Sequence, residues 1–203
     1  RDGALAASGL LDRDLGGPSV HPYQPDGLWA EVSHYGYPAG FTSQKYLPGS
    51  GRANYRRSMY TAWKRTSPPP AMTIFDAPNR ETCTVRRLHT NTPLQALVLQ
   101  NDPQFVEAAR ALGLRMARAN SAGEGVEEGA LRVLGRRPTK IEHKLLVLAQ
   151  ARYAQSFASR VEEAAELLSV GEHEVDDAQV VKLASWTLVA STLLNMDEAV
   201  SRQ

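Results

Sequence analysis

The chain has 203 residues, of which 42% are hydrophobic, and its formal net charge at pH 7 is +1. A chain of this length and composition can bury a sizeable core, which is typical of a globular protein rather than a disordered one. No apolar run approaches the roughly 18 residues that a membrane-spanning helix needs, so we do not expect membrane insertion.

Cysteine and histidine usage restricts the chemistry further. Cys83 is the single cysteine, which excludes an internal disulfide and a thiolate zinc site, and we expect it to be a small buried hydrophobic residue. The five histidines do not show the spacing of metal ligands, so no metal site is predicted. No C-x-x-C-H motif is present, so this chain cannot attach a c-type haem. We expect no cofactor in this chain.

Basic residues are concentrated in the middle of the chain. From residue 52 to residue 90 there are eight basic residues and two acidic ones, Asp76 and Glu81. From residue 121 onward, thirteen acidic residues stand against nine basic ones. This asymmetry indicates either an anionic partner for the basic centre or an internal match with the acidic part of the fold.

The first half of the chain is predicted to be a short helix followed by an irregular arm. Residues 1–12 have helical periodicity, and the chain begins as if it were a piece of a longer protein. Glycine, proline and aromatic residues then continue to about residue 51, which predicts an ordered loop. Residues 55–66 fit both a strand and a helix, and their aromatic and β-branched content favours a strand. Residues 71–75, after three prolines, are predicted to form a second short strand.

The second half of the chain is predicted to be a helical bundle. Thr92 and Gln95 form a capping box, and Asp102 is the expected N-cap of the next helix, which continues to about residue 119. Further helices are predicted over 124–134, 139–170 and 178–194, with Thr139 and Asp177 as the caps of the last two. The apolar residues expected to face the core from the helix over 139–170 are Ile141, Leu145, Leu148, Tyr153, Phe157, Val161 and Leu168.

The predicted fold class is therefore mainly α, with a helical C-terminal bundle, a long irregular N-terminal arm and one or two short strands. The predicted division places the N-terminal helix and the basic, aromatic arm in residues 1–91. Residues 92–203 form the helical bundle, and the two parts are expected to make one compact domain.

One long string of residues carries a family resemblance. The stretch RRSMYTAWKRTSPPPAMTIFDAPNRETCTVRRLHTNTPLQALVLQNDPQFV, with GGPSVHPYQPDGLW before it and LGRRPTKIEHKLL after it, resembles the planctomycete PSD1 domain, the DUF1553 family. The resemblance implies a periplasmic or secreted accessory domain of a larger protein. It also implies an upstream c-type cytochrome module that would carry haem c, and the other domains of the parent protein as partners. It brings no established reaction.

A cluster of basic and aromatic residues is the first candidate site. Arginine side chains match carboxylate, sulfate or phosphate groups, and a Trp or Tyr ring can stack on a sugar. In the implied setting an anionic polysaccharide, rather than nucleic acid, is the expected ligand. The alternative is that these arginines pair with acidic groups or carbonyls of the same fold. The candidate residues are Arg56, Arg57, Tyr60, Trp63, Lys64, Arg65, Arg86, Arg87 and His89.

A second candidate site would be catalytic. His89, Asp76 and Glu81 offer an imidazole and two carboxylates within a short span, which is enough for acid–base chemistry on a complex carbohydrate. No H-E-x-x-H, G-x-S-x-G or glycine-rich phosphate loop accompanies them. A third interpretation is a structural scaffold that docks the cytochrome module.

Overall fold

The computed structural model describes residues 1–32, 45–86, 90–173 and 179–201. Within these ranges the protein is mainly helical and contains no sheet, which confirms the predicted mainly α class. The chain divides into two units: a helical unit of Arg1–Leu11 and Ala96–Gln203, and an arm unit of Asp12–Gln95. The boundary expected between residues 91 and 92 stays a prediction.

The longer helices of the described ranges lie in the second half of the chain. The arm contains two short 3-10 segments, Gly51–Tyr55 and Ser58–Tyr60, besides short α-helices. The helices are α1 (Asp2–Ser8), α2 (Leu28–Glu31), α3 (Pro70–Ile74), α4 (Pro93–Asn101), α5 (Pro103–Ala117), α6 (Ala122–Leu134), α7 (Lys140–Ala158), α8 (Val161–Leu168), α9 (Val180–Leu194) and α10 (Asp197–Val200).

The helical unit is built on the contact between α5 and α9. Helices α1 and α6 pack against α5, and α7 and α8 pack against α9. A Cβ atom added at Gly113 of α5 would lie 2.8 Å from the backbone nitrogen of Thr187 and 2.9 Å from the carbonyl carbon of Trp186. Because a backbone cannot rotate away as a side chain can, only glycine permits this approach of the two helices.

A buried ion pair on α5 holds the segment after α8. The side chains of Glu107 and Arg110 are 0% and 2% exposed, with 3.8 Å between their charged atoms. Arg110 donates to the carbonyl oxygens of Leu168, Val170 and His173, and Glu107 accepts the N–H of His173 at 2.6 Å. The pair therefore satisfies carbonyl groups at and beyond the end of α8 that have no partner within the helix.

Three predicted helix starts are confirmed. The N–H of Gln95 donates to Thr92 Oγ1 at 3.3 Å, and the Gln95 side chain accepts the N–H of Thr92 at 3.0 Å. Asp102 caps α5 by accepting the N–H of Gln104. Thr139 and Glu142 form the capping box of α7. The cap expected at Asp177 lies outside the described residues.

Four local predictions are wrong at their boundaries or in type. Residues 55–66 contain 3-10 turns and isolated bridges instead of a strand, and residues 71–75 fall mostly in α3, where Pro70 suits the first helical turn. The N-terminal helix ends at Ser8 because Gly9 adopts a left-handed conformation with φ 82°. The helix predicted over 139–170 breaks into α7 and α8 at residues 159–160.

The predicted inward face of the helix over 139–170 is wrong for four of its residues. Ile141, Leu145 and Leu148 are exposed, as is Val161 at the start of α8. Phe157 is buried as predicted, and the other buried residue of α7 is Leu146, which the prediction did not include. Apolar residues lie on two sides of α7, so its periodicity alone does not identify the side that faces α9.

An arginine joins the end of α6 to the start of α7 and to α10. The Arg136 guanidinium donates to both carboxylate oxygens of Glu142, at 2.9 Å each, and to both of Glu198, at 2.8 Å each. The hydrogen bond from Arg136, together with the backbone N–H of Thr139, lowers the pKa of Glu142 to about 2. Arg136 also lowers the pKa of Glu198.

We expect Gly113→Ala to lower the free energy of unfolding by about 1–3 kcal/mol, because the added methyl group meets backbone atoms of α9. The matched control is Gly123→Ala in α6, where the new Cβ would meet side chains and no backbone: the end of His143, at 3.0 Å, and the Ser121 hydroxyl, at 3.9 Å. Urea denaturation measures both variants. Equal stability of the two variants would contradict the role of the close helix contact.

We expect the stability of the protein to depend on the Glu142 carboxylate in acid. Because the folded pKa of Glu142 is about 2 and its ordinary value is 4.5, its contribution is complete above about pH 4.5 and is lost as the pH falls toward 2. The urea midpoint of the wild type should therefore decrease more steeply than that of Glu142→Gln between about pH 5 and pH 2. Parallel curves for the two proteins would show that Glu142 makes no such contribution.

Candidate functional site

In the arm unit, backbone hydrogen bonds join two passes of the chain, a first pass over residues 12–20 and a second pass over residues 55–62. Val20 donates to the carbonyl of Tyr60 at 2.9 Å, and Ala62 donates to the carbonyl of Val20 at 2.9 Å. Asp12 likewise donates to the carbonyl of Tyr55 at 3.0 Å. Two of the candidate residues, Arg56 and Tyr60, lie on the second pass, and their side chains add further contacts between the two passes.

Arg56 and Tyr60 hold the first pass of the arm. The Arg56 guanidinium donates to the carbonyl oxygens of Asp14, Gly16 and Pro18 and lies 4.0 Å over the Tyr60 ring. The Tyr60 hydroxyl accepts the N–H of Gly16 at 2.8 Å. These two predicted ligand-binding residues are therefore already engaged with carbonyls and an N–H of their own unit.

Arg52 is engaged with two acidic side chains of the arm. Its guanidinium lies 3.0 Å from Asp12 and also contacts Asp14. A hydrogen bond from the Asp14 backbone N–H, and then the bond from Arg52, lower the pKa of Asp12. Asp12 and Asp14 are thus matched by Arg52, which lies outside the predicted cluster.

Trp63 forms a stacked pair with an arginine that the predicted cluster omits. The Arg80 guanidinium carbon lies 4.8 Å from the centroid of the Trp63 ring, and Arg80 is exposed. Arg80 has φ 63°, and the neighbouring Asn79 side chain accepts the N–H of Glu81 at 3.0 Å. The pairing of Arg80 with Trp63 depends on the path of the chain through α3, so no short sequence pattern indicates it.

The remaining basic candidates differ in exposure. Arg65 and Arg86 are exposed and Arg57 is half-buried, and none of them forms an ion pair with an acidic side chain of the described ranges. The Lys64 ammonium lies 4.9 Å from the Trp29 ring centroid. Two candidates, Arg87 and His89, lie outside the described residues. The expectation that Cys83 is buried is wrong, because its side chain is exposed in the same loop as Arg86.

Asp76 closes the loop that carries Arg80, Cys83 and Arg86. One oxygen of its carboxylate accepts the N–H of Thr90 at 3.1 Å and the Thr90 hydroxyl at 2.7 Å. Glu81 is exposed, and the described residues show no hydrogen bond between it and Asp76. The structure therefore brings Asp76 to Thr90 rather than to the second candidate carboxylate.

The comparisons with known proteins add one finding. A family model described as PSD1, a protein of unknown function (DUF1553), matches residues 1–149. The chain belongs to the PSD1 family. No curated protein and no solved structure matches it. In this PSD1 chain the matched segment includes the whole arm unit and every candidate residue.

Two features are absent from the described part of the PSD1 chain. Among those residues, no group of three or more His, Cys, Asp or Glu side chains is arranged to hold a metal ion. None of the helices described has the length and apolar character to cross a membrane.

We expect Asp76→Ala to open the loop between Asp76 and Thr90. Trypsin should cleave after Arg80 and Arg86 roughly tenfold faster, because the closing hydrogen bonds are lost. Asp76→Asn should have a smaller effect, since an amide oxygen still accepts hydrogen bonds and Asn tolerates the positive φ of 57° at this position. Cleavage after Arg132, within α6, is the internal reference. Unchanged cleavage in Asp76→Ala would show that Asp76 does not close the loop.

Proposed function

We propose that the arm unit of this PSD1 protein binds an anionic polysaccharide and that it acts as an accessory domain without catalysis. The Arg80 guanidinium stacked 4.8 Å over the Trp63 ring is the observation that carries the proposal. A guanidinium presents paired N–H donors that match the oxygens of sulfate and carboxylate. Stacking on the ring orients this fork while leaving the exposed guanidinium able to meet a ligand.

The distribution of charge in the arm supports the same ligand class. Arg52 forms ion pairs with Asp12 and Asp14. Arg65 and Arg86, in contrast, are exposed and have no ion pair with a described acidic side chain. Uncompensated arginines raise the local potential and attract a polyanion before any specific contact forms. This favours binding over a structural role for the exposed arginines, while Arg56 and Tyr60 are assigned to holding the arm.

The family setting supports a polysaccharide over nucleic acid. The resemblance implies a periplasmic or secreted protein, with haem c on an upstream cytochrome module and the other domains of the parent protein as partners. In that setting we expect an anionic carbohydrate as the polymer. The catalytic alternative, with Asp76, Glu81 and His89, has weaker support, because one oxygen of Asp76 is used to close a loop.

The test compares two triple variants that remove the same charge. We expect Arg65→Ala/Arg80→Ala/Arg86→Ala to raise the dissociation constant for a sulfated oligosaccharide roughly a hundredfold, since charge-assisted hydrogen bonds are lost. Arg118→Ala/Arg132→Ala/Arg137→Ala in the helical unit is the matched control and should bind like the wild type. Titration of dextran sulfate fragments, followed by tryptophan fluorescence and calorimetry, measures the constants.

Two outcomes would contradict the proposal. Equal weakening in both triple variants would mean that binding follows net charge and does not involve the arm. Equally tight binding of a single-stranded DNA of similar length to the wild type would contradict polysaccharide as the ligand class.

A further inference from the structure

The guanidinium of Arg80 is held in place while its N–H donors are unused. Its carbon lies 4.8 Å from the centroid of the Trp63 ring. Within the described ranges the exposed Arg80 side chain donates no hydrogen bond and forms no ion pair, although Glu81 is the next residue. An arginine carries its N–H donors in a fixed planar fork. The ring contact therefore orients a fork that the described part of the fold does not satisfy.

The backbone of Arg80 adopts a conformation that arginine rarely takes. Its φ is 63°, which lies in the left-handed region. There the Cβ atom of an L residue comes close to the following carbonyl oxygen, so glycine, asparagine and aspartate are the usual occupants. Other residues held in this region are concentrated at ligand-binding sites. The turn itself does not favour arginine, and the stacked side chain accounts for its presence.

Asn79 supplies the hydrogen bond that maintains this conformation. Its side-chain oxygen accepts the N–H of Glu81 at 3.0 Å, which closes an Asx turn around the backbone of Arg80. The direction of a Cα–Cβ bond relative to the preceding chain changes with φ. Without the turn, Arg80 would relax toward a negative φ and its side chain would leave the Trp63 ring. Asn79 is exposed, so its role is in the turn and not in filling a core.

We propose that Asn79 is a positioning residue for polysaccharide binding, because its Asx turn holds Arg80 in the left-handed conformation that places the guanidinium on Trp63. The inference rests on the function proposed for the arm unit and makes Arg80 the anchor of that site. The fork fits an anionic group with paired oxygens, such as the carboxylate or sulfate of an acidic sugar. Arg65 and Arg86 stack on no described aromatic ring, so they supply charge without this orientation.

The test measures the coupling between Asn79 and Arg80. We expect Asn79→Ala to raise the calorimetric dissociation constant for dextran sulfate fragments roughly fivefold, because the anchor is no longer preorganised. In an Arg80→Ala background the same substitution should change the constant by less than about 1.5-fold, since a residue that acts through another has no effect once the other is removed. A residue with a merely structural role would weaken binding in both backgrounds.

Two matched variants serve as controls. Arg86→Ala removes an exposed arginine of the same loop, so in that background Asn79→Ala should still weaken binding about fivefold. Asn79→Ser keeps a side-chain oxygen that can accept the N–H of Glu81 and should retain most of the wild-type affinity. Circular dichroism should be the same for all these variants, because the substituted side chains are exposed.

A second measurement follows Arg80 without any ligand. Protons above an aromatic ring resonate upfield, so the Cδ protons of Arg80 should be displaced upfield in NMR spectra of the wild type. The displacement should disappear in Trp63→Leu, decrease in Asn79→Ala and persist in Asn79→Ser.

The outcomes separate this inference from the function on which it rests. Equal weakening by Asn79→Ala in the wild-type and Arg80→Ala backgrounds would overturn the role of Asn79, and so would an unchanged upfield displacement in Asn79→Ala. Either result leaves the binding of dextran sulfate by the arm intact. A wild type that does not bind dextran sulfate would instead overturn the function proposed for the arm, and this role of Asn79 with it.

Discussion

The close contact between α5 and α9 at Gly113 is the constraint on which the helical unit depends. Because the two backbones nearly touch there, α5 is enclosed by its neighbours, and even its polar residues Glu107 and Arg110 are buried. A buried ion pair is stable only when its remaining hydrogen-bonding capacity is used. Carbonyl oxygens at residues 168–173 accept from Arg110, and the N–H of His173 donates to Glu107, so the enclosure of α5 also determines where the chain goes after α8.

The arm unit is stabilised in a different way, since the described part of it has no sheet and only short helical segments. Side-chain hydrogen bonds take the place of a backbone ladder. Arg56 donates to carbonyl oxygens, the Tyr60 hydroxyl accepts an N–H, and the Asp76 carboxylate accepts an N–H and a hydroxyl. A basic or acidic residue in such a segment can therefore be part of the fold itself. For this reason some basic residues in the middle of the chain hold the arm together, whereas others, Arg65 and Arg86 among them, are exposed.

Features set by neighbouring residues were predictable from the sequence, and features set by distant ones were not. The caps at Thr92, Asp102 and Thr139 involve groups within three residues, so local chemistry determines them. The stacking of Arg80 on Trp63 joins residues separated by α3, and no short-range pattern encodes it. The buried side of α7 was likewise ambiguous, because both of its sides are apolar and α9 selects one of them. For the candidate site, the residue types and their region were therefore predictable from the sequence. The structure was needed to show which of these residues bond to their own unit and which are exposed.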